Sequence, residues 1–234
     1  MNTIEKIRKA EKEYHDYCYD NYQLFVEGSW LYRPVKTVVN LLQLFSNVAP
    51  LHVLDLGSGV GRNSIPIAQA IKKRGGRVDC VDLLDSAIQN LLKYSEKFDV
   101  QDIIHPIKAD IGSYNISRNE YDFIVAVSSI EHVKSEIELE NVLEQMVLGT
   151  KINGVNCIIV NSEIEEIDLK TNEKLPALIE INITTDEMLH KLKRAYNEWE
   201  HLEVLVKPLQ YTITRNGREV ILKTNAITFV ARNS

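Results

Sequence analysis

Hydrophobic residues follow two kinds of spacing in the central part of the chain. Short, nearly continuous apolar runs are typical of strands buried on both faces of a sheet. Five such runs lie at residues 51–56, 77–82, 103–107, 121–127 and 154–160. Segments with apolar residues at helical spacing lie between them, at 62–73, 85–97 and 135–148. This alternation predicts βαβ units with right-handed crossovers and a parallel sheet that helices cover on both faces.

The two ends of the chain follow other patterns. Residues 3–22 and 34–46 have helical spacing and precede the first strand. From 161 to 183 the sequence is polar and predicts an irregular segment. A helix then begins at Thr184, where Thr184 and Glu187 fit a capping box, and reaches about Trp199. Strand-like runs at 202–206 and 220–231 flank an Asn216-Gly217 pair, which predicts an antiparallel hairpin at the end of the sheet.

The chain has no Pro/Gly/Ser-rich linker, so we expect a single domain over residues 1–234. Within it, residues 1–48 form an N-terminal helical cap and residues 49–160 form the core of the sheet. Residues 161–234 supply an insertion and the terminal hairpin. The acidic run 163–168 is expected to be a solvated face.

Composition excludes several classes of protein. With 44% hydrophobic and 26% charged residues, the chain is neither disordered nor collagen-like. A net charge of −6 argues against a nucleic-acid partner. Cys18, Cys80 and Cys157 are too far apart for a disulfide framework, and the histidines have no ligand spacing, so we expect no metal site. No apolar run suits a membrane span or a secretory signal, so the expected location is cytoplasmic.

A glycine-rich loop is the most informative segment. Gly57, Gly59 and Gly61 follow the strand at 51–56 and lead directly into a helix. Glycine allows a tight turn and lets a ligand approach the backbone closely. The N-terminus of the helix supplies free N–H groups and positive potential, and ligands of open α/β sheets bind at the carboxyl ends of strands. The loop therefore predicts a site for a nucleotide-like ligand.

The spacing within this loop narrows the choice of ligand. A nicotinamide dinucleotide site has the pattern G-x-G-x-x-G, whereas this loop reads G-x-G-x-G. Asp55 stands two residues before the first glycine, where a carboxylate suits a cationic group such as the α-amino group of a methionine moiety. Asp82 ends the second strand and can accept hydrogen bonds from both ribose hydroxyls. Asp110 and Ile111 follow the third strand, where an acid and an apolar residue can meet adenine.

Taken together, these motifs resemble those of class I S-adenosylmethionine-dependent methyltransferases. The resemblance covers about residues 50–160 and includes Tyr121-Asp122-Phe123-Ile124-Val125 as the motif of the fourth strand. It implies an α/β, Rossmann-like, doubly wound and mostly parallel sheet of seven strands with an antiparallel C-terminal hairpin. It also implies S-adenosyl-L-methionine as the cofactor. The candidate cofactor-binding residues are Asp55, Gly57, Ser58, Gly59, Gly61, Asn63, Asp82, Leu83, Asp110, Ile111 and Ser128.

A narrower group, the tellurite-resistance-type methyltransferases, is also similar. The similarity lies in the segments 61–64, 121–124, 196–200, 216–217 and 231–232. That family tends to carry a His-Arg pair before its last hairpin, whereas this chain reads Leu209-Gln210-Tyr211-Thr212. Only the scaffold is therefore carried over from this resemblance, and tellurite or selenite chemistry is not.

The implied reaction is in-line transfer of a methyl group to a small-molecule nucleophile, with release of S-adenosylhomocysteine. A protein acceptor stays open, as does the oligomeric state. The alternatives are a non-catalytic module that binds S-adenosylmethionine within a complex and, less favoured, a nicotinamide-dependent oxidoreductase. A nucleic-acid partner and a membrane are not expected.

Two groups of residues outside the cofactor motifs are candidates for the acceptor side. His132 follows the fourth strand and can act as a base or orient a substrate, since its ordinary pKa is near neutral; packing and capping are the alternatives. Glu131 beside it is a weaker candidate. Tyr22, Trp30 and Tyr32 belong to a segment rich in tyrosine that either packs the first helix on the sheet or closes over the pocket as a lid.

Overall fold

The structure is a computed structural model that describes residues 3–215 and 217–234. Its α-helices are α1 (Thr3–Asn21), α2 (Lys36–Leu41), α3 (Ser64–Ile71), α4 (Asp85–Lys97), α5 (Glu136–Gly149) and α6 (Thr185–Ala195). Its strands are β1 (Leu51–Leu56), β2 (Gly76–Asp82), β3 (Ile104–Lys108), β4 (Tyr121–Val127), β5 (Thr150–Asp168), β6 (Lys174–Leu175), β7 (Glu200–Arg215) and β8 (Arg218–Arg232). Short 3₁₀ turns lie at Trp30–Tyr32, Leu42–Phe45 and Ile130–His132.

One mixed sheet organises the fold, in the order β3-β2-β1-β4-β5-β8-β7. Its first five strands are parallel, β8 runs antiparallel to β5, and β7 runs antiparallel to β8. This confirms the Rossmann-like α/β sheet with an antiparallel terminal hairpin. The described residues add an eighth strand to the predicted seven, because the two-residue β6 pairs with β5. The strand order reverses between β1 and β4, and such a reversal opens a ligand crevice at the carboxyl ends of the strands.

Alternate side chains of the buried strands enter two separate cores. In β4, Phe123 and Val125 pack on the face that α3 and α4 cover, whereas Ile124 and Ala126 pack on the face that α5 and α6 cover. This follows from the two-residue period of a strand. Because both faces are buried, every residue of such a strand can be apolar, which is the pattern that the sequence shows in this part of the chain.

The polar segment after residue 160 differs from its prediction. β5 continues as far as Asp168, and its side chains are alternately buried and more exposed from Val160 onward. The buried positions include Ser162 and Glu166, which are 1% and 2% exposed. Polar residues therefore occupy inward positions, and the hydrophobic pattern cannot reveal the strand. The prediction that the acidic run 163–168 is a solvated face was wrong for this reason.

The ends of the chain are also more regular than predicted. β7 and β8 pair antiparallel as far as Arg215 and Arg218, which confirms the predicted hairpin. Asn216, half of the predicted hairpin signal, lies outside the described residues. The capping box at Thr184 is confirmed.

The three cysteines are buried and unpaired, as expected. Of the helices in the described part of the chain, none has the length and apolarity needed to cross a membrane.

Candidate active site

A cavity of about 510 Å³ lies at the carboxyl ends of β1 and β4, where the strand order reverses. Most of the predicted site residues meet there. The predicted residues that line it are Trp30, Gly57, Ser58, Gly59, Asn63, Asp82, Leu83, Asp110, Ile111, Ser128 and His132. Four others, Asp55, Gly61, Tyr22 and Tyr32, are not part of the lining.

The glycine loop turns through left-handed backbone conformations at its first two glycines. Gly57 and Gly59 have φ of +76° and +54°. The N–H groups of Gly57 and Ser58 both donate to the Val81 carbonyl, at 2.8 and 3.0 Å, which ties the loop to β2. A Cβ atom at Gly57 would lie 2.3 Å from the Cβ of Ser129. The loop therefore requires glycine there, both for its φ and for its close approach to the segment after β4.

Gly61 makes a close packing contact. A Cβ atom at this position would lie 2.6 Å from Leu91 Cδ1 and 2.9 Å from Ile65 Cγ1. Gly61 thus lets α3 pack closely against α4, and it is not part of the cavity lining. Its contact with a cofactor stays a prediction, because the spacing of glycines in a sequence does not distinguish a ligand contact from a packing contact.

Asp82 is held rigidly at the rim of the cavity. Its Oδ2 accepts a hydrogen bond from the N–H of Gly59 at 2.8 Å, and its Oδ1 accepts one from the N–H of Leu84 at 2.9 Å. Burial raises the pKa of Asp82, and these backbone donors oppose that rise. Each carboxylate oxygen can accept a further hydrogen bond. Asp82 is therefore fixed in place and still able to bind two hydroxyl groups.

Asp55 lies behind the glycine loop, where it is only 1% exposed. Its Oδ2 accepts a hydrogen bond of 2.5 Å from the hydroxyl of Ser64, the first residue of α3. Burial raises the pKa of Asp55 to about 6, although the Ser64 hydroxyl and the Arg62 charge work against this. The structure thus joins Asp55 to the start of α3, outside the cavity lining, and its direct contact with a ligand stays a prediction.

Asp110 is paired with basic residues instead of facing the cavity alone. Arg8 of α1 donates to its Oδ2 at 2.9 Å, and Lys134 lies 3.3 Å from the same atom. The N–H of Gly112 donates to Oδ1 at 3.0 Å. Burial would raise the pKa of Asp110, but the hydrogen bonds from Arg8 and Gly112 outweigh it and lower the pKa. Asp110 therefore anchors α1 as well as lining the cavity.

Helix α1 covers the cavity with aromatic side chains. His15 and Tyr19 both pack against Trp30, with ring centroids 5.8 and 6.3 Å apart, and all three residues line the cavity. Arg62 holds Trp30 in place, because it donates to the Trp30 carbonyl at 3.0 Å and lies 5.1 Å from the ring. Tyr19 also approaches the glycine loop, because a Cβ atom added at Gly59 would lie 3.2 Å from the Tyr19 hydroxyl oxygen.

Tyr22 and Tyr32 do not take part in this cover. Tyr22 packs edge-on against Tyr17, and Tyr32 lies against Arg33, whose guanidinium carbon is 4.5 Å from its ring. Of the three residues proposed for a lid, only Trp30 reaches the cavity. Residues of α1 between Arg8 and Tyr19 supply the rest of the cover, and the aromatic pattern of the sequence could not show this.

His132 lies at the other end of the cavity, beside Glu180. Its Nδ1 is 3.0 Å from Glu180 Oε2. Burial alone would lower the pKa of His132, but the hydrogen bond to Glu180 and the charges of Glu11 and Glu131 raise it to about 9. An imidazole with such a pKa is protonated at neutral pH and cannot accept a proton. The raised pKa therefore favours a cationic His132 at neutral pH, and its catalytic role stays a prediction.

This raised pKa makes stability depend on pH in a defined direction. Because the pKa of His132 is about 9 in the folded protein and 6.5 for an ordinary histidine side chain, protonation favours the folded state. The contribution of His132 is fully present below about pH 6.5 and is lost as the pH rises through 9. We expect the difference in unfolding free energy between wild type and His132→Gln to be largest at pH 6 and small at pH 10, measured by urea titration. The exposed His190→Gln serves as the control, and a difference that grows with pH would contradict the prediction.

Several lining residues escaped the sequence analysis. Arg8 and Glu11 lie on one face of α1, Glu180 lies in the loop before α6, and Arg215 ends β7. The spacing of Arg8, Glu11 and His15 does indicate a shared helix face. However, nothing local to the sequence shows that this face meets β7, more than 190 residues away.

Comparisons with known proteins agree with this geometry. Two curated relatives, from two strains of Haemophilus influenzae, bear the name "Probable S-adenosyl-L-methionine-dependent methyltransferase TehB". Each is 29% identical over 156 residues, which cover 67% of this chain and 48% of the relative. The matched part of the chain thus spans about half the length of these relatives.

Solved structures share the fold. The crystal structure of TehB from Haemophilus influenzae has a TM-score of 0.64 and 24% identity, covering 94% of this chain and 67% of that one. A SAM-dependent methyltransferase from Methanosarcina mazei has a TM-score of 0.61 and 16% identity, covering 86% and 98%. The family model described as tellurite resistance protein TehB matches residues 16–224, which is most of the chain. By this match, together with the fold, the chain belongs to the TehB family.

Proposed function

We propose that this protein transfers the methyl group of S-adenosyl-L-methionine to a small-molecule acceptor. The observation that carries the proposal is the rigid junction of the glycine loop and Asp82, at the point where the sheet reverses its strand order. A carboxylate with free lone pairs beside a glycine turn suits a ribose joined to a compact charged group. Membership of the TehB family and the names of the relatives support the same function.

The residues present fit this cofactor. The hydroxyl oxygens of Ser58 and Ser129 are buried beside the loop without a hydrogen-bond partner in the described part of the chain, so polar ligand atoms can satisfy them. Asp82 would hold the ribose, and Leu83, Asp110 and Ile111 would surround the adenine. Further candidate contacts with the cofactor are Gly57, Ser58, Gly59, Asn63 and Ser128. Asp55 would act indirectly, through Ser64 and the start of α3.

The proposed reaction needs little chemistry from the side chains themselves. The cofactor supplies, when bound, an activated sulfonium methyl group that an acceptor displaces in line, and S-adenosylhomocysteine is released. The protein needs to align the acceptor and exclude water. Helix α1 and Trp30 cover the cavity and serve the second purpose, whereas Glu131 and His132 border the acceptor end. This explains why no catalytic pair stands out in the sequence.

The size and cover of the cavity favour a small acceptor. A volume of about 510 Å³ is in the usual range for small-molecule and cofactor sites.

The continuous sheet supports a single domain over residues 1–234. We also propose a cytoplasmic location, since three buried free cysteines suit a reducing compartment.

Calorimetry on the purified protein tests the function. We expect saturable binding of S-adenosylmethionine and S-adenosylhomocysteine at one site and no measurable heat with NADH. Binding of NADH alone would favour an oxidoreductase and overturn the proposal. Binding of S-adenosylmethionine without release of S-adenosylhomocysteine in a screen of small acceptors would favour a non-catalytic module.

A further inference from the structure

Two charged side chains at the acceptor end of the cavity have polar atoms that the rest of the protein does not satisfy. Glu131 is 1% exposed, and its Oε2 has no hydrogen-bond partner among residues 3–215 and 217–234. The Arg215 side chain is 10% exposed, and within the same residues neither its Nε nor its Nη1 has a partner. Buried polar atoms are nearly always hydrogen-bonded in folded proteins. Both residues line the cavity, so a bound ligand can satisfy these atoms.

Each of these side chains is nevertheless fixed on one side by the protein. Arg215 Nη2 lies 2.5 Å from Oε1 of Glu11, and the guanidinium lies 5.1 Å from the Tyr14 ring centroid. Glu131 Oε1 accepts hydrogen bonds from Asn161, at 2.8 Å from Nδ2 and 3.2 Å from the backbone N. A side chain that is anchored on one side and free on the other is arranged as a preorganised binding group.

The two groups belong to the same cavity, and Tyr211 lines it with them. Arg215 Nη2 also lies 3.6 Å from Oε1 of Glu166, which is 2% exposed. The protein therefore pairs Nη2 of Arg215 with carboxylates, whereas Nε and Nη1 have no partner among the described residues.

Apolar side chains also line this part of the cavity. Ile179, Ile213 and Leu222 form a small cluster with Tyr14, and all of them line the cavity. A ligand suited to this end carries an anionic group for Arg215 and a hydrogen-bond donor for Glu131, with an apolar portion in between. An amino group is the donor that also supplies the positive charge that a buried carboxylate favours.

Building on the proposed methyl transfer, we infer that the acceptor is a small amino-carboxylate, bound through its carboxylate by Arg215 and through its amino group by Glu131. An amino acid or a short ω-amino acid meets this description. A molecule with only one of the two groups leaves the free polar atoms of the other side chain without a partner, so it should bind much more weakly.

The first experiment uses the wild-type chain saturated with S-adenosylhomocysteine. The probes are the common L-amino acids, β-alanine and γ-aminobutyrate, together with propionate, butyrate, propylamine and butylamine as molecules with one group each. We expect calorimetric binding of at least one amino-carboxylate, about 10-fold or more tighter than its one-group analogue. Release of S-adenosylhomocysteine from S-adenosylmethionine is then measured with the same probes.

The second experiment uses Arg215→Gln and Glu131→Gln, with Arg218→Gln as the matched control on the exposed side of the hairpin. We expect the first two variants to raise the KM or Kd for the amino-carboxylate by about 10-fold or more. Their Kd for S-adenosylmethionine and their melting temperature should stay close to those of wild type. Arg218→Gln should match wild type in every measurement.

The outcomes separate this inference from the proposed function. Equal binding of one-group probes, absence of amino-carboxylate binding, or unchanged KM in folded variants overturns the inference while S-adenosylmethionine binding still supports methyl transfer. Failure to bind S-adenosylmethionine overturns the proposed function itself. If Arg215→Gln unfolds because it loses Glu11, the probe comparison on the wild-type chain and Glu131→Gln decide the question.

Discussion

Asp82→Ala is expected to weaken the binding of S-adenosylmethionine by about 100-fold or more. A hydrogen bond to a charged group contributes roughly 1.5–3 kcal/mol, and the Asp82 carboxylate has lone pairs for two ribose hydroxyls. The substitution also removes the acceptors of the Gly59 and Leu84 N–H groups, so the loop loses one of its ties to β2. Both effects reduce affinity. Calorimetric titration with S-adenosylmethionine gives the Kd directly.

The control for this prediction is Asp102→Ala, which removes an exposed aspartate from the turn before β3 and should leave the affinity unchanged. Melting temperatures of both variants show whether the fold persists. If Asp82→Ala is folded and its affinity for S-adenosylmethionine falls by less than about 3-fold, this carboxylate does not contact the ligand. The proposed function would then lose the observation on which it depends.

The cofactor end of the site was predictable because its signals are local. Asp82 ends a buried strand, and Gly57 follows another, so their meeting follows from the geometry of parallel strands. The same logic cannot separate Gly61, which packs against Leu91, from the glycines that line the cavity. Nor can it show that Asp55 points toward α3.

The acceptor end was not predictable because its partners are distant in sequence. The pKa of His132 depends on Glu180, and Arg215 is held by Glu11 of the first helix. β5 extends to this end through inward polar residues such as Glu166, whose burial no hydrophobic pattern reveals. Contacts of this kind exist only after the hairpin and α1 have packed over the sheet. The arrangement of this end of the cavity is therefore a property of the assembled fold, whereas the candidate cofactor motifs are already apparent in single segments of the sequence.

Gly57→Ala is expected to be the most damaging single methyl addition in the loop, at a cost of about 3–5 kcal/mol in unfolding free energy. Two causes combine. An L-residue in a left-handed conformation costs roughly 1–2 kcal/mol, and Gly57 has a φ of +76°. The new methyl group would also lie 2.3 Å from Ser129 Cβ, so one of the two segments has to move. Because both segments line the cavity, binding of S-adenosylmethionine should be lost as well.

Gly217→Ala separates the two causes. Gly217 has a nearly identical φ of +74°, but a Cβ atom there meets nothing within 4 Å in the described part of the chain. It should therefore show the backbone cost alone, about 1–2 kcal/mol in a urea titration. Ser129→Gly in the Gly57→Ala background removes the clash and should bring the cost down to that of Gly217→Ala, whereas Ser129→Gly alone should be mild. If Gly57→Ala lowers the unfolding free energy no more than Gly217→Ala does, the close approach of the loop to Ser129 is wrong. The position of the glycine loop beside the cavity would then have to be revised.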